Sequence, residues 1–291
     1  MKSNKYEIDM CNGSIMDKLV SFALPLMLSG ILQLMFNAVD IIVVGRFSGS
    51  EALAAVGSTT ALINVFTNLF IGISLGANVL AARFFAAGRK EEMSETVHTS
   101  ITLALISGIL MAFVGLVFSK GALELMGTPE DVIGLSTLYM RIYFMGMPFF
   151  MLYNYGAAIL RAVGDTKRPL YFLIIAGVIN AGLNMVLVIV FGLGVAGVGI
   201  ATVFSQMVSC VLVLTCLCRT EGSYKLSFSK LSMKGYYLKQ IFQVGIPAGI
   251  PSSIFLMHYY NRQLILSVQP RWQVTRQQTI FWDFCMFPSI L

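Results

Sequence analysis

The chain has 291 residues, 57% of them hydrophobic and only 12% charged, with a net charge of +6. Soluble domains usually carry about 25% charged residues, so this composition excludes an ordinary soluble domain and places the chain among membrane proteins. The positive charge does not mark a nucleic-acid binder, because the basic residues sit in short stretches between long apolar runs.

A membrane-spanning helix needs about 20 apolar residues. Six complete spans are predicted, at roughly 17–42, 52–82, 95–118, 132–160, 169–192 and 195–218, and a seventh begins near 238. Several runs exceed the minimum, which implies tilt or extension beyond the bilayer. The first span follows a polar start with Glu7, Asp9 and Asp17 and is too long for the apolar core of a signal peptide.

Asp40 lies toward the far end of that first span, in Asn37-Ala-Val-Asp40-Ile-Ile-Val-Val-Gly45. A charged residue at a helix centre costs about 2.5–3.5 kcal/mol to insert, so it is paired, protonated or facing water. A carboxyl taken out of water is driven toward its neutral form, which suits it to carry a proton. The plainer alternative is an interfacial acid. Gln33 and Asn37 precede Asp40 at spacings that put all three on one helical face. Glycines cluster at 72–76 in the second span, and His98 stands by the charged start of the third, where a solvated or capping role is expected.

The fourth span carries Tyr139, Arg141 and Asn154, the last between Tyr153 and Tyr155. Arg141 either pairs with an acid or snorkels outward, a structural role. Asn180 and Asn184 follow at i, i+4 in the fifth span, and Thr202 lies in the sixth. Each polar residue alone fits an interhelical hydrogen bond, worth about 0.6 kcal/mol. As a set converging on one acid they imply a hydrated cavity. Gly192-Leu-Gly194-Val-Ala-Gly197-Val-Gly199 is expected to form a tight hairpin; it lacks the Lys-Ser/Thr of a phosphate-binding loop.

No catalytic constellation is present: no His-Glu-x-x-His, no Gly-x-Ser-x-Gly and no paired acids within a span. The five cysteines have no metal-ligand spacing and read as helix-packing residues. Neither a metal site nor a cofactor is expected.

The basic residues set an orientation. Lys2, Lys5, Lys18, Arg83, Arg89, Lys90, Arg161, Lys167, Arg168, Arg219, Lys225, Lys230, Lys234 and Lys239 fall on one side of the predicted spans, whereas Arg46 and Lys120 fall on the other. The positive-inside rule then places the N-terminus and the connection 219–237 in the cytoplasm. The seventh span also opens like the first: Phe22-Ala-Leu-Pro25-Leu-Met-Leu-Ser29 is matched by Val244-Gly-Ile-Pro247-Ala-Gly-Ile-Pro251. Matching starts of this kind point to a transporter built from two halves.

Three stretches carry a resemblance to a known family. They are Asp40-Ile-Ile-Val-Val-Gly45 after the Pro25-bearing run; Gly72-Ile-Ser-Leu-Gly76-Ala-Asn-Val-Leu-Ala-Ala-Arg83-Phe-Phe-Ala-Ala-Gly88; and Leu160-Arg161-Ala-Val-Gly164-Asp165-Thr166-Lys-Arg-Pro169. Over roughly residues 10–257 the chain resembles the bacterial multidrug and toxic compound extrusion (MATE) family. The resemblance implies twelve helices in two lobes around a central cavity, and antiport of a cationic small molecule against H+ or Na+ as coupling ion. It implies that Asp40 is the ion- or proton-coupling acid of the first helix, with Tyr139, Asn154, Asn180, Asn184 and Thr202 at N-lobe pocket positions. Gln33 and Asn37 join the candidate cavity lining from the polar stripe. Asn184 departs from the family, since many members have an acid there, so this lobe holds one titrating carboxylate.

The pattern collapses after about Met257. His258-Tyr-Tyr-Asn-Arg-Gln and Pro270-Arg-Trp-Gln-Val-Thr-Arg interrupt what should be a span. Read one frame over, the codons for 257–269 permit Ala-Leu-Leu-Gln-Ser-Ser-Val-Asn-Ser-Phe-Gly-Ser, which resembles the family's continuation, so the tail is expected to be a frameshift product. Genomic sequence lacking that continuation would refute this.

The expected fold is therefore an all-α integral membrane protein: six complete transmembrane helices, forming one MATE-type lobe, plus the start of a seventh. The expected boundaries are an N-terminal lobe over 1–218, an inter-lobe linker over 219–237, the start of a C-terminal lobe over 238–257 and an aberrant tail over 258–291. The expected function is a non-enzymatic multi-pass exporter in a bacterial inner membrane. Its partners are a cationic small molecule, the lipid bilayer and a missing C-terminal lobe normally in the same chain, with no nucleic acid. Alternatives are a lipid-linked saccharide flippase, whose anionic substrates would favour several cations in the cavity, and an inactive truncated product.

Overall fold

A computed structural model of the chain describes residues 15–249. In chain order its elements are α1 (Ile15–Phe47), α2 (Gly49–Ala86), α3 (Lys90–Leu125), α4 (Glu130–Met145), α5 (Met147–Ala162), α6 (Lys167–Asn184), a π-helical turn (Met185–Val190), α7 (Gly194–Arg219) and a short 3-10 turn (Phe228–Lys230). A further helix, α8, is described over 235–249. No strand occurs among the described residues.

Among the described residues five helices are long and apolar enough to cross a membrane: Met16–Phe47, Gly49–Ala86, Lys90–Leu125, Lys167–Val190 and Gly194–Arg219. At 1.5 Å per residue, the 33 residues of α1 run roughly 50 Å, well beyond a hydrocarbon core of roughly 30 Å. The fourth run, expected as one continuous span over 132–160, is instead two 16-residue helices, α4 and α5. Pro148 is the physical reason. It lacks an N–H, so the carbonyl of Phe144 loses its helical donor. Gly146 takes up the join: its N–H bonds Tyr143 O at 2.9 Å, and its carbonyl restarts the ladder toward Phe149 and Phe150.

The bundle is centred on α5, which packs against α2, α3 and α7. Met151, Tyr155, Ile159 and Leu160 are fully buried there. Small residues let backbones approach, as expected where lipid supplies no hydrophobic drive between helices. The ring of Phe144 lies over Gly115 of α3, Val213 of α7 lies over Gly156, and Phe36 of α1 lies over Gly177 of α6. Asn78 Nδ2 ties α2 to α5 by donating to the Ala158 carbonyl at 2.7 Å. By contrast α1 is peripheral. Leu24, Leu28, Ile31, Leu34 and Met35 are exposed along it, an apolar surface suited to lipid or to a neighbouring helix.

The glycine-rich hairpin between the π turn and α7 is present. Gly192 and Gly194 take φ of 64° and 54°, a left-handed backbone that glycine adopts at little cost. Leu193 N–H bonds Leu187 O at 3.0 Å across the turn.

After α7 the chain folds back along the lobe. Tyr224 and Leu226 are buried, and Leu226 N–H returns to Leu217 O at 3.1 Å. Lys234 Nζ pairs with Glu95 of α3 at 2.6 Å. The seventh span, expected near 238, starts at 235 and crosses α2 at two facing Gly-x-x-x-Gly pairs, Gly72/Gly76 and Gly245/Gly249. A Cβ added at Gly72 or Gly76 would collide with the backbone of α8. The remainder of the expected seventh span, 250–257, and the tail 258–291 lie outside the described residues. His98, expected to be solvated or capping, is instead buried at 3% exposure, because the fold-back of 224–227 covers it.

Candidate functional site

Asp40 sits where α1 turns into the bundle. With Val43 and Val44 it forms a short buried face near the end of a helix whose earlier turns are mostly exposed or half-buried; the i, i+3, i+4 spacing is that of one helical stripe. Asp40 itself is 7% exposed.

Two further helices supply its partners. Asn184, the last residue of α6, donates from Nδ2 to Asp40 Oδ1, and from the same nitrogen to Asn180 Oδ1 at 3.2 Å. Thr202 of α7 lies 3.4 Å from Asp40 Oδ2 and also donates to the Val198 carbonyl at 2.9 Å. Asn180 Nδ2 reaches Thr202 Oγ1 at 3.5 Å. Asp40 thus faces an amide N–H and a hydroxyl, and Asn180 links those two groups. Asn184 Oδ1 is buried without a hydrogen-bond partner among the described residues, the position of an acceptor in reserve. The π turn starts directly after Asn184, and such turns interrupt the regular helical ladder at functional places.

Tyr139 of α4 is buried within electrostatic reach of Asp40. Tyr143 is also within reach, with its ring centroid 6.2 Å from that of Tyr139. Gln206 stands beside Tyr143, and its Oε1 is buried without a hydrogen-bond partner among the described residues.

Of the residues expected from sequence, Asp40, Asn180, Asn184 and Thr202 form one hydrogen-bonded group, with Tyr139 nearby. Gln33 and Asn37 are exposed on α1 and make no bond to Asp40 among the described residues. Asn154 is buried in α5 and donates to the Phe150 carbonyl of its own helix at 2.8 Å, so it serves its own backbone rather than the Asp40 group. Arg141 is exposed on α4 and makes no ion pair among the described residues. Sequence reasoning missed Tyr143 and Gln206. Both were signalled by spacing, since each lies four residues beyond a chosen one, Tyr139 and Thr202, and hence on the same helical face.

A buried carboxylate held by amide and hydroxyl groups from neighbouring helices, in a bundle of long apolar helices, marks a polar site inside a multi-pass membrane protein. The MatE family model matches residues 25–186, more than half the chain, and the chain belongs to the MATE family. The probable multidrug resistance protein YoeA of Bacillus subtilis is 36% identical over 238 residues, which cover 79% of this chain and 51% of that protein. The FAD transporter of Shewanella oneidensis is 28% identical over 197 residues, covering 66% of this chain and 43% of that protein. Among solved structures, a MOP superfamily transporter from Pyrococcus furiosus superimposes with a TM-score of 0.80 at 25% identity, covering 91% of this chain and 58% of that one. A MATE structure in the straight conformation gives 0.77 at 26% identity, covering 87% and 55%. The chain spans about half the length of the curated relatives it matches.

Proposed function

We propose that the chain is the N-terminal lobe of a secondary antiporter that exports cationic or amphipathic drugs or metabolites in exchange for H+ or Na+. The observation that carries this reading is the Asp40 group: a buried carboxylate on the least embedded helix, held by donors from α6 and α7. Ionised Asp40 accepts from Asn184 and Thr202, and so ties α1 to the bundle. A proton or Na+ arriving at Asp40 changes what those donors meet. A protonated carboxyl keeps one oxygen as acceptor and turns the other into a donor, so one of the two bonds must be rearranged. Before Asp40, the better-packed residues that otherwise hold α1 are Pro25, Leu32, Phe36 and Val39. Ion binding is thereby converted into movement of the helix that borders the cavity, as alternating access requires. A cationic substrate competes for the same negative charge. Asn184 adds no second carboxylate, so one charge is exchanged at this site.

In this reading the six spans are α1, α2, α3, the α4–α5 pair, α6 with its π turn, and α7. The linker covers 219–237, and a second lobe beginning near 238 completes the cavity. The lobe sits in the bacterial inner membrane with its N-terminus in the cytoplasm. Gln33 and Asn37, exposed on α1, line the side of the cavity that the second lobe closes. The names of YoeA and of the multidrug export protein MepA of Staphylococcus aureus support drug export. A saccharide flippase would need cations in its cavity. Arg141 lies about 160–200° around α4 from Tyr139 and Tyr143, on the side away from Asp40.

The test is dye efflux from cells lacking their own exporters, comparing the lobe alone, the lobe joined to a C-terminal half from a relative, and the joined protein carrying Asp40→Asn. Efflux is expected only from the joined wild-type protein. Unchanged efflux with Asp40→Asn would remove Asp40 from the coupling step, and efflux from the lobe alone would remove the need for a second lobe.

A further inference from the structure

His98 lies in the third turn of α3, outside the Asp40 group, with both ring nitrogens engaged. Nδ1 is 2.6 Å from the carbonyl of Ser94. A carbonyl only accepts, so Nδ1 carries a proton and donates. Nε2 is 3.2 Å from the backbone nitrogen of Ser227. A backbone N–H only donates, so Nε2 must be the bare, accepting nitrogen. The two bonds together define one neutral tautomer. A second proton, on Nε2, would set an N–H against the Ser227 N–H at a buried position, a contact that cannot persist.

Ser227 is the middle of the fold-back between α7 and α8. Next to it, Leu226 and Tyr224 are buried, with the Tyr224 ring 6.3 Å edge-on from Phe85. Farther on, Lys234 holds Glu95 and Tyr237 packs edge-on against Phe84 at 5.9 Å. The imidazole is therefore one of a few polar fastenings between the lobe and the segment that leads into α8.

We propose that His98 is a proton-released latch on this connection: the neutral ring holds Ser227, and a protonated ring lets the stretch 224–231 come away from α3. The other charges at this end of the bundle are largely paired. Glu92 bonds Arg89, Glu95 bonds Lys234 and Asp165 bonds Arg168; Lys90 and Glu91 open α3. Lys225 and Lys230 flank Ser227, and Arg83, Arg161 and Arg219 lie at the ends of α2, α5 and α7. Histidine is the side chain whose charge ordinarily changes between pH 5 and 8, and His98 is the sole histidine among the described residues. On the orientation proposed above the latch faces the cytoplasm and would loosen the connection when that compartment acidifies. The ring geometry itself does not depend on transport.

The experiment is hydrogen exchange of the purified full chain in nanodiscs, followed in peptides spanning 224–231 at pH 8 and pH 5.5 and corrected for intrinsic exchange rates. The wild type is expected to be protected at pH 8 and at least tenfold less protected at pH 5.5. His98→Gln can still accept from the Ser227 N–H but does not titrate, and is expected to stay protected at both values. His98→Phe is expected to be unprotected at both. Equal wild-type protection at the two pH values would overturn the latch. So would a pH response that persists in His98→Gln, since it would then arise elsewhere, for example in the Glu95–Lys234 pair. Should His98→Phe fail to fold, the comparison of wild type with His98→Gln decides alone.

Discussion

Asn184 does two things with one amide nitrogen: it donates to Asp40 and it donates to Asn180. Replacing it with Leu leaves a buried carboxylate short of a donor. That should cost about 1–3 kcal/mol, read as a lower unfolding temperature of the purified protein. Asp40→Asn in the same background should recover much of the loss. The double mutant then falls well short of additivity, and strictly additive effects would separate the two residues. Four members of this group were legible in the sequence because polar side chains inside apolar runs are costly and must converge on something. Asn154 obeyed the same logic and is not in the group. Its amide is satisfied within its own helix, by Phe150, and no spacing rule distinguishes a side chain that serves its own backbone from one that reaches a neighbour.

At the scale of elements, apolar length located the long helices but not their interruptions. The fourth run stays predominantly apolar across the break, and that break rests on Gly146 and Pro148, two residues that are also tolerated within transmembrane helices. Nor does the π turn over Met185–Val190 show in composition, since Val, Leu and Ile fill it just as they fill an α-helix. The contact between α2 and α8 is the most demanding of the packing arrangements. A side chain at Gly76 has nowhere to go but into the backbone at Ile241 and Gly245. Gly76→Leu should therefore detach α8, which limited proteolysis would detect as faster cleavage within 220–234. Gly57→Leu, on the same helix where an added Cβ meets nothing within 4 Å, should leave cleavage unchanged.

Across the whole molecule the asymmetry of positive charge is the strongest guide to topology. In a variant with its cysteines replaced by serine, a single cysteine at Gly121 or Gly127 should react with a membrane-impermeant maleimide on intact cells. One at Gly222 should react only after permeabilisation. Labelling at Gly222 from outside would invert the proposed orientation. The contrast between a well-packed α5 and the largely exposed first half of α1 also sets an expectation for the isolated lobe. In detergent, hydrogen exchange should be fastest along Met16–Met35 and slowest along Met151–Leu160, because local opening is easiest where few apolar contacts must be broken.

The seating of α8 on α2 has a practical consequence for chimeras. Parents are naturally joined in the polar stretch between lobes, where the sequence changes character. A breakpoint there would take Gly72 and Gly76 from one parent and the helix that must lie on them from the other, pairing surfaces that were never selected together. A breakpoint beyond residue 249 would inherit both sides of the crossing from a single parent. The seam along which this protein can be cut and rejoined therefore lies one helix later than its linker.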